Sequence, residues 1–122
     1  MSLKRRIPKD YLVLAVLVLG AWGFSTVLRS HADTSDGAAL RAVARPGDIV
    51  MLGSTTCSYC ASARAWLDAQ QVPYHECLIE REPGCLREFE ARGARGTPTF
   101  VVRGQTVVGF DREQILKLMA RS

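Results

Sequence analysis

Residues 48–67 read DIVMLGSTTCSYCASARAWL, and the order of residue types in this segment is the strongest indication of the fold. Its beginning, Asp48 to Gly53, is an apolar run with the length of a buried strand. The alanine-rich residues after Cys60 are typical of a helix. Cys57 and Cys60 therefore stand where a strand ends and a helix begins. Two thiols two residues apart at such a junction are the layout of a thiol–disulfide exchange site.

The start of the helix gives the two cysteines different roles. Backbone N–H groups are free there, and the positive end of the helix dipole stabilises a thiolate relative to the thiol, so Cys57 is the expected nucleophile. Cys60 lies one turn further on and can attack a mixed disulfide on Cys57, so it is the expected resolving thiol. Tyr59 is expected to be exposed, where it either shapes the partner surface or only covers the first helical turn. Arg64 is about two turns from Cys57, too far to act on it by contact.

An uncharged apolar segment lies near the N-terminus. It runs from Tyr11 to Leu28, and as a helix its eighteen residues would span about 27 Å, just enough to cross a hydrocarbon core. Four of the sixteen cationic residues precede residue 10, whereas only Arg29 follows the segment closely. The positive-inside rule then places the N-terminus in the cytoplasm and the rest of the chain outside it, in a bacterial periplasm.

Two alternatives remain for this segment. Ser30-His31-Ala32 offers small residues where a signal peptidase cuts, but the apolar run is longer than the usual signal core of about 7–15 residues, which favours an anchor. A buried core helix is disfavoured because the run has no polar side and Gly20 and Gly23 thin its packing face. An anchor and a cleaved signal, which would leave a secreted or periplasmic protein, both export the domain to an oxidising compartment.

These features divide the chain into a basic tail with an apolar helix (1–30), a polar linker (31–37) and one folded domain (38–122). Asp36 is expected to cap a short helix that ends near Ala44, before Pro46. After Leu28 we count twelve Arg and Lys against eleven Asp and Glu, so the domain is nearly neutral. This charge balance does not indicate a nucleic-acid partner.

The elements predicted from residue 48 onwards follow the order βαβαββα. A helix separates the first strand from the second, which is predicted over 72–79, so these two are expected to be parallel with a right-handed connection. A short helix over 83–92 begins at a proline, and residues 99–108 read as a β-hairpin with a glycine in its turn. Asp111 is expected to cap the last helix.

This order resembles the thioredoxin superfamily, and its compactness is closest to that of glutaredoxins. The resemblance covers about residues 46–120 and rests on Cys57-Ser58-Tyr59-Cys60, on Thr97-Pro98 and on Val108-Gly109-Phe110-Asp111. It implies an α/β fold of three layers around a mixed four-stranded sheet, here preceded by one transmembrane or signal helix. It also implies that Pro98 is in the cis form beside the dithiol and that Thr97 offers its backbone to an extended substrate.

The resemblance further implies a thiol–disulfide oxidoreductase that acts on protein thiols and disulfides. Its partners would be such proteins and a membrane or extracytoplasmic redox protein, and a monomer is expected. No cofactor or metal is expected beyond the redox-active Cys57–Cys60 disulfide. Glutathione-dependent glutaredoxins usually carry a Gly-Gly pair after the last strand, whereas this chain has Gly109-Phe110, which disfavours glutathione as the partner.

Cys77 and Cys85 form a second pair with three possible explanations. An even number of cysteines in a small exported domain favours a structural disulfide. The pair could instead exchange electrons with Cys57 and Cys60, or remain as buried free thiols. Zinc bound by all four cysteines is disfavoured, because the second spacing lacks the tight turn of structural zinc sites. His75, in the preceding strand, is expected to face solvent or to pack on the strand.

Two other classes of function compete with exchange catalysis. An exported dithiol could bind Cu(I) for delivery, although none of the three methionines flanks the CxxC motif. The domain could also be a redox-inert scaffold that recruits a partner. Within the exchange reading, the dipeptide Ser58-Tyr59 does not determine whether the pair oxidises, reduces or isomerises its substrates.

Overall fold

The computed structural model describes residues 8–121. Its helices and strands alternate in the order predicted for the domain, after one long N-terminal helix. They are α1 (Lys9–Val43), β1 (Ile49–Gly53), α2 (Ser58–Ala69), β2 (His75–Leu78), α3 (Pro83–Ala91), β3 (Thr99–Val102), β4 (Gln105–Val108) and α4 (Arg112–Ala120).

The four strands form one mixed sheet in the order β2-β1-β3-β4. β1 and β2 are parallel, as the helix between them predicts, and the other two neighbouring pairs are antiparallel. The predicted thioredoxin-like fold is confirmed. The second strand is shorter than predicted and begins at His75, because Pro73 has no N–H to give to the ladder with β1.

Side chains alternate between the two faces of the sheet, and helices pack on both faces. Met51 of β1 is in register with Phe100 of β3 and with Glu76 of β2, so all three lie on one face. Helices α2 and α4 cover this face, and the core there is formed by buried apolar residues: Ile49, Met51, Ala63, Leu67, Phe100, Val102, Val107, Ile115 and Met119. On the opposite face, α3 is fastened by a disulfide from Cys85 to Cys77 of β2.

The N-terminal helix differs from the prediction. Residues 31–37, expected to be a linker, are helical and belong to α1, so the separate helix capped by Asp36 is wrong. Residues 31–36 contain neither proline nor glycine, and nothing local stops the helix there. Gly37 lies inside the helix and is buried, and the side chain of Gln70 packs so closely on it that a Cβ atom at this position would overlap it.

By their internal contacts, the described residues divide between Asp33 and Thr34 into two units. In the first unit, the large apolar side chains from Tyr11 to Leu28 are exposed. Helix α1 is long and apolar enough to cross a membrane, with a mean hydropathy of 2.1 over its most apolar stretch, a property that signal sequences share. In the second unit, Arg41 donates a hydrogen bond to the carbonyl of Gln70 at the end of α2 (3.1 Å).

Asp48 joins the start of β1 to the turn between β3 and β4. Its carboxylate accepts hydrogen bonds from the backbone N–H of Arg45 (2.9 Å) and from the guanidinium of Arg103 (3.3 Å). Arg103 also donates to the carbonyl of Met119 in α4 (2.8 Å). The hydrogen bond from Arg45 and the one from Arg103 hold the pKa of Asp48 below its ordinary value of 3.8.

We expect replacement of Asp48 by asparagine to lower stability in a pH-dependent way. A carboxylate whose pKa is depressed by folding stabilises the folded state above its unfolded pKa, and this contribution disappears as the pH falls through the folded value. The melting temperature of Asp48→Asn should therefore lie below that of the wild type at pH 7, and the difference should shrink below about pH 4. A difference independent of pH would contradict this role.

Candidate active site

Cys57 and Cys60 lie at the start of α2, and the fold treats them differently. Cys57 is the N-cap residue, with extended backbone, and its Sγ accepts a hydrogen bond from the N–H of Cys60 (3.0 Å). The Cα atoms are 5.2 Å apart and the sulfurs form a disulfide. Cys57 is partly exposed, whereas Cys60 is fully buried. An incoming thiol therefore has access to the sulfur of Cys57.

The electrostatics at this helix end favour a negative sulfur. The first turn of α2 carries no acidic side chain, and Cys57 occupies the position where free N–H groups and the helix dipole act together. The N–H of Cys60 points at the sulfur of Cys57. A thiolate on Cys57 is therefore better stabilised than one on Cys60, which is buried.

The loop before β3 lies against this pair. The Thr97–Pro98 peptide bond is cis, as predicted, and the carbonyl oxygen of Thr97 lies 3.4 Å from the Sγ of Cys57. The loop is held on both sides, because the N–H of Gly109 donates to the carbonyl of Pro98 (2.9 Å) and the hydroxyl of Thr99 donates to the carbonyl of Gly96 (2.8 Å). Antiparallel pairing of β1 with β3 brings the loop and the dithiol together across forty residues of sequence.

The sequence of this chain matches both a protein family and an individual relative. Residues 49–107 match the glutaredoxin family. The chain is also 30% identical over 114 residues to a disulfide bond formation protein of Brevibacillus choshinensis, across 89% of this chain and 84% of that relative. This chain is a glutaredoxin-like member of the thioredoxin superfamily.

Two crystal structures of the thioredoxin-like protein BC3987 share the fold of this glutaredoxin-like protein. A point mutant of BC3987 superposes with a TM-score of 0.54 at 23% identity, covering 62% of this chain and 99% of the other. The second structure gives a TM-score of 0.50 at 25% identity, covering 57% and 97%. In both, nearly the whole of the neighbour is matched.

Tyr59 of the glutaredoxin-like protein is 76% exposed beside the two cysteines. Thr97 is partly exposed and Pro98 is buried beneath it. The Thr97 carbonyl lies against the accessible sulfur of Cys57, and Tyr59 lies in the first turn of α2, two residues after Cys57. The role of Tyr59, Thr97 and Pro98 in holding a substrate stays a prediction. Thr97 has the geometry for it because its carbonyl already faces Cys57.

Glu80 is a site residue that the sequence did not indicate. Its carboxylate binds the hydroxyl of Ser54 and accepts a hydrogen bond from the N–H of Thr55 (3.2 Å). The Ser54 hydrogen bond is the main reason that the pKa of Glu80 is lowered. These bonds fasten the loop that enters the active site to the end of β2. The partners are 25 and 26 residues apart, so no local pattern could reveal them.

Glu76 and Arg64 form an ion pair behind Cys60. The guanidinium Nε donates to one oxygen of the Glu76 carboxylate at 2.7 Å, and a second nitrogen binds the other oxygen. This hydrogen bonding raises the pKa of Arg64. A Cβ atom on Gly53 would lie 3.5 Å from Glu76 Oε1 and 3.6 Å from Cys60 Sγ, so glycine leaves the space between them open. Arg64 is thus engaged beside Cys60, while the sequence had related it only to Cys57.

Phe110, the residue that departs from the glutathione-binding pattern, is a packing residue here. Its ring lies edge-on to Trp66 with centroids 5.5 Å apart, and 5.6 Å from Phe100. The guanidinium of Arg112 stacks on Trp66, 5.1 Å from the centre of its ring. These contacts join the start of α4 to α2.

Cys77 and Cys85 form a disulfide away from the first pair, with Cα atoms 5.5 Å apart. Glu76 faces α2 and Cys60, so the next residue, Cys77, lies on the opposite face of the sheet, where α3 packs. The fold therefore does not bring all four cysteines together. This placement opposes both the four-cysteine zinc site and direct exchange between the two pairs within one molecule.

Proposed function

We propose that this protein catalyses thiol–disulfide exchange on protein substrates outside the cytoplasm, with Cys57 as the nucleophile and Cys60 as the resolving thiol. The observation that carries the proposal is the asymmetry of the pair. Cys57 is accessible at a helix N-cap, 3.4 Å from the Thr97 carbonyl, while Cys60 is buried directly behind it. Protein substrates suit this site because the surface around Cys57 is open and offers a backbone carbonyl.

The direction we propose is donation of the disulfide to a substrate. It is supported by the relative named as a disulfide bond formation protein. A substrate thiolate attacks Cys57 Sγ, the Cys57–Cys60 bond breaks, and Cys60 leaves as a thiolate that takes up a proton. A second substrate thiolate then attacks the substrate sulfur and displaces Cys57. The substrate loses two electrons and two protons, and the pair gains them as two thiols.

Regeneration uses the same two sulfurs in their predicted roles. The Cys57 thiolate attacks a disulfide of a membrane or extracytoplasmic redox partner and forms a mixed disulfide with it. Cys60 then attacks Cys57 Sγ, which restores the Cys57–Cys60 bond and leaves the partner with two thiols. The proposal thus requires a partner that is itself reoxidised.

Disulfide transfer to a reduced substrate tests the function and its direction. The oxidised full chain, in detergent, is mixed with a reduced unfolded protein that carries two thiols, and the products are trapped with acid and analysed by mass. We expect one substrate disulfide to form for each Cys57–Cys60 disulfide that is reduced. The reaction should be faster than with oxidised glutathione at the same concentration. No transfer would contradict the proposal; fast reduction of a substrate disulfide by the reduced chain, without transfer in the other direction, would contradict its direction alone.

We further propose that α1 anchors the domain to the membrane with its N-terminus in the cytoplasm. Support comes from the exposed apolar side chains between Tyr11 and Leu28 and from the cations that precede them. In cells, the protein should stay with membranes after alkaline extraction, keep its full mass, and lose the domain when spheroplasts are treated with protease. A soluble form that begins near Asp33 would establish a cleaved signal instead, and a protected domain would contradict export.

A further inference from the structure

Four metal-binding side chains converge on the face of the sheet opposite the active site. His75 and Cys77 are two residues apart on β2, so they lie on the same face, while Glu82 precedes α3 and Cys85 lies in its first turn. The ligand atoms of His75, Cys77 and Glu82 all lie within 4.8 Å of one another. The Glu82 carboxylate lies 3.0 Å from Cys85 Sγ and 3.9 Å from Cys77 Sγ.

We propose that reduction of the Cys77–Cys85 disulfide creates a binding site for one zinc-like divalent ion. The reductant is a dithiol, which gives two electrons and two protons to the pair and becomes a disulfide itself. The two thiols then lose their protons as they bind the ion, and His75 and Glu82 supply a nitrogen and an oxygen. The second pair is then a redox-controlled metal site as well as a cross-link.

The ligand set and its spacing suit zinc. Thiolate, imidazole and carboxylate are the three ligand types of zinc proteins, bound at roughly 2.0–2.3 Å, so tetrahedral ligands lie about 3.3–3.8 Å apart. The distances in the cluster bracket this range. In the disulfide the two sulfurs are bonded and too close to each other to serve as separate ligands, and opening the bond lets them separate around an ion.

The ligands of the proposed site differ in their exposure to solvent. Cys85 is 2% exposed and anchored in α3, whereas His75 and Glu82 are exposed. The ion can therefore enter from solvent and meet a buried sulfur. The sequence had predicted no metal site, because the cysteine spacing alone lacks the usual tight turn. The site depends on the close approach of β2 to the start of α3, which the spacing of the cysteines does not reveal.

Cobalt titration of the reduced chain tests this site. The full chain in detergent carries Cys57→Ser and Cys60→Ser, so that Cys77 and Cys85 are the only thiols, and is reduced with a phosphine. We expect thiolate-to-cobalt absorption that saturates at one ion per chain and disappears when zinc is added. The oxidised sample should show none. Two thiols that react with a thiol reagent but give no cobalt–thiolate absorption would overturn the proposal.

Two single variants separate a four-ligand site from cobalt held by thiols alone. His75→Ala and Glu82→Gln should each weaken binding at least about tenfold, since even supporting groups around a metal are worth that much. Glu90→Gln, on the same helix, is the matched control and should bind like the parent. Equal affinity in the parent, His75→Ala and Glu82→Gln would overturn the site, provided that circular dichroism shows all of them folded.

Discussion

Replacing Cys57 with serine should reduce disulfide transfer to the rate of the uncatalysed reaction. A hydroxyl at this position cannot form or accept a disulfide, and Cys60 cannot replace it because its sulfur is fully buried. The measurement is the initial rate of thiol oxidation in a reduced substrate protein. Ser58→Ala is the matched control, since Ser58 is exposed in the same turn, and it should keep the wild-type rate.

Replacing Cys60 with alanine should have a different effect and thereby separate the two roles. Cys57 keeps its position at the helix start, so it still attacks the disulfide of the redox partner, but no thiol follows to release that partner. Mixed disulfides should accumulate and be visible on non-reducing gels. They should be absent when the same chain carries both Cys60→Ala and Cys57→Ser. If Cys57→Ala rather than Cys60→Ala gave the trapped species, the assignment of nucleophile and resolving thiol would be reversed.

The parts of the site that depend on residues close together in the sequence could be predicted. The strand, the helix start and the two thiols lie within thirteen residues, 48–60, and their order sets both the fold and the chemistry. Thr97 and Pro98 could be placed only through the resemblance to a known superfamily. The structure supplies the reason, which is the pairing of β1 with β3 that sets the Thr97 carbonyl against Cys57.

The contacts that support the site could not be predicted, because each depends on which elements pack together. The Ser54–Glu80 interaction joins the loop after β1 to the loop after β2, and the Arg64–Glu76 ion pair joins α2 to β2. Polar and charged surface residues of this kind have many possible partners. The continuity of α1 was missed for a related reason. A polar run with a glycine is typical of a linker, and the close approach of Gln70, which leaves no space for a side chain at Gly37, is a tertiary contact that the local sequence does not reveal.

Removing the second disulfide should give the largest loss of stability among the changes considered. Cys77 and Cys85 are eight residues apart, and closing a loop of this length restricts the unfolded chain by about 2–3 kcal/mol. For a domain of this size, that corresponds to a melting temperature lower by roughly 10–20 °C. A domain of about ninety residues has a small core, so this is a large share of its stability.

The free energy of unfolding should be compared between two samples that differ only in the Cys77–Cys85 bond. The Cys57→Ser, Cys60→Ser chain can be unfolded with urea in its oxidised form and after reduction in the presence of a chelator, with Trp66 as the fluorescent probe and Trp22 replaced by phenylalanine. A difference under about 0.5 kcal/mol would contradict a structural role, because the loop-closure entropy alone exceeds it.

Disulfide transfer by a Cys77→Ala, Cys85→Ala chain distinguishes the structural role from an electron relay. The second pair lies on the opposite face of the sheet from Cys60, so the variant should keep the wild-type transfer rate at temperatures well below its melting point. A relay also predicts a normal first transfer, but regeneration by the redox partner should then fail, whereas a structural pair leaves regeneration intact. Because the same chain is also expected to melt earlier, rates must be compared where both proteins are folded, and a loss of regeneration there would assign the second pair to electron transfer despite its position.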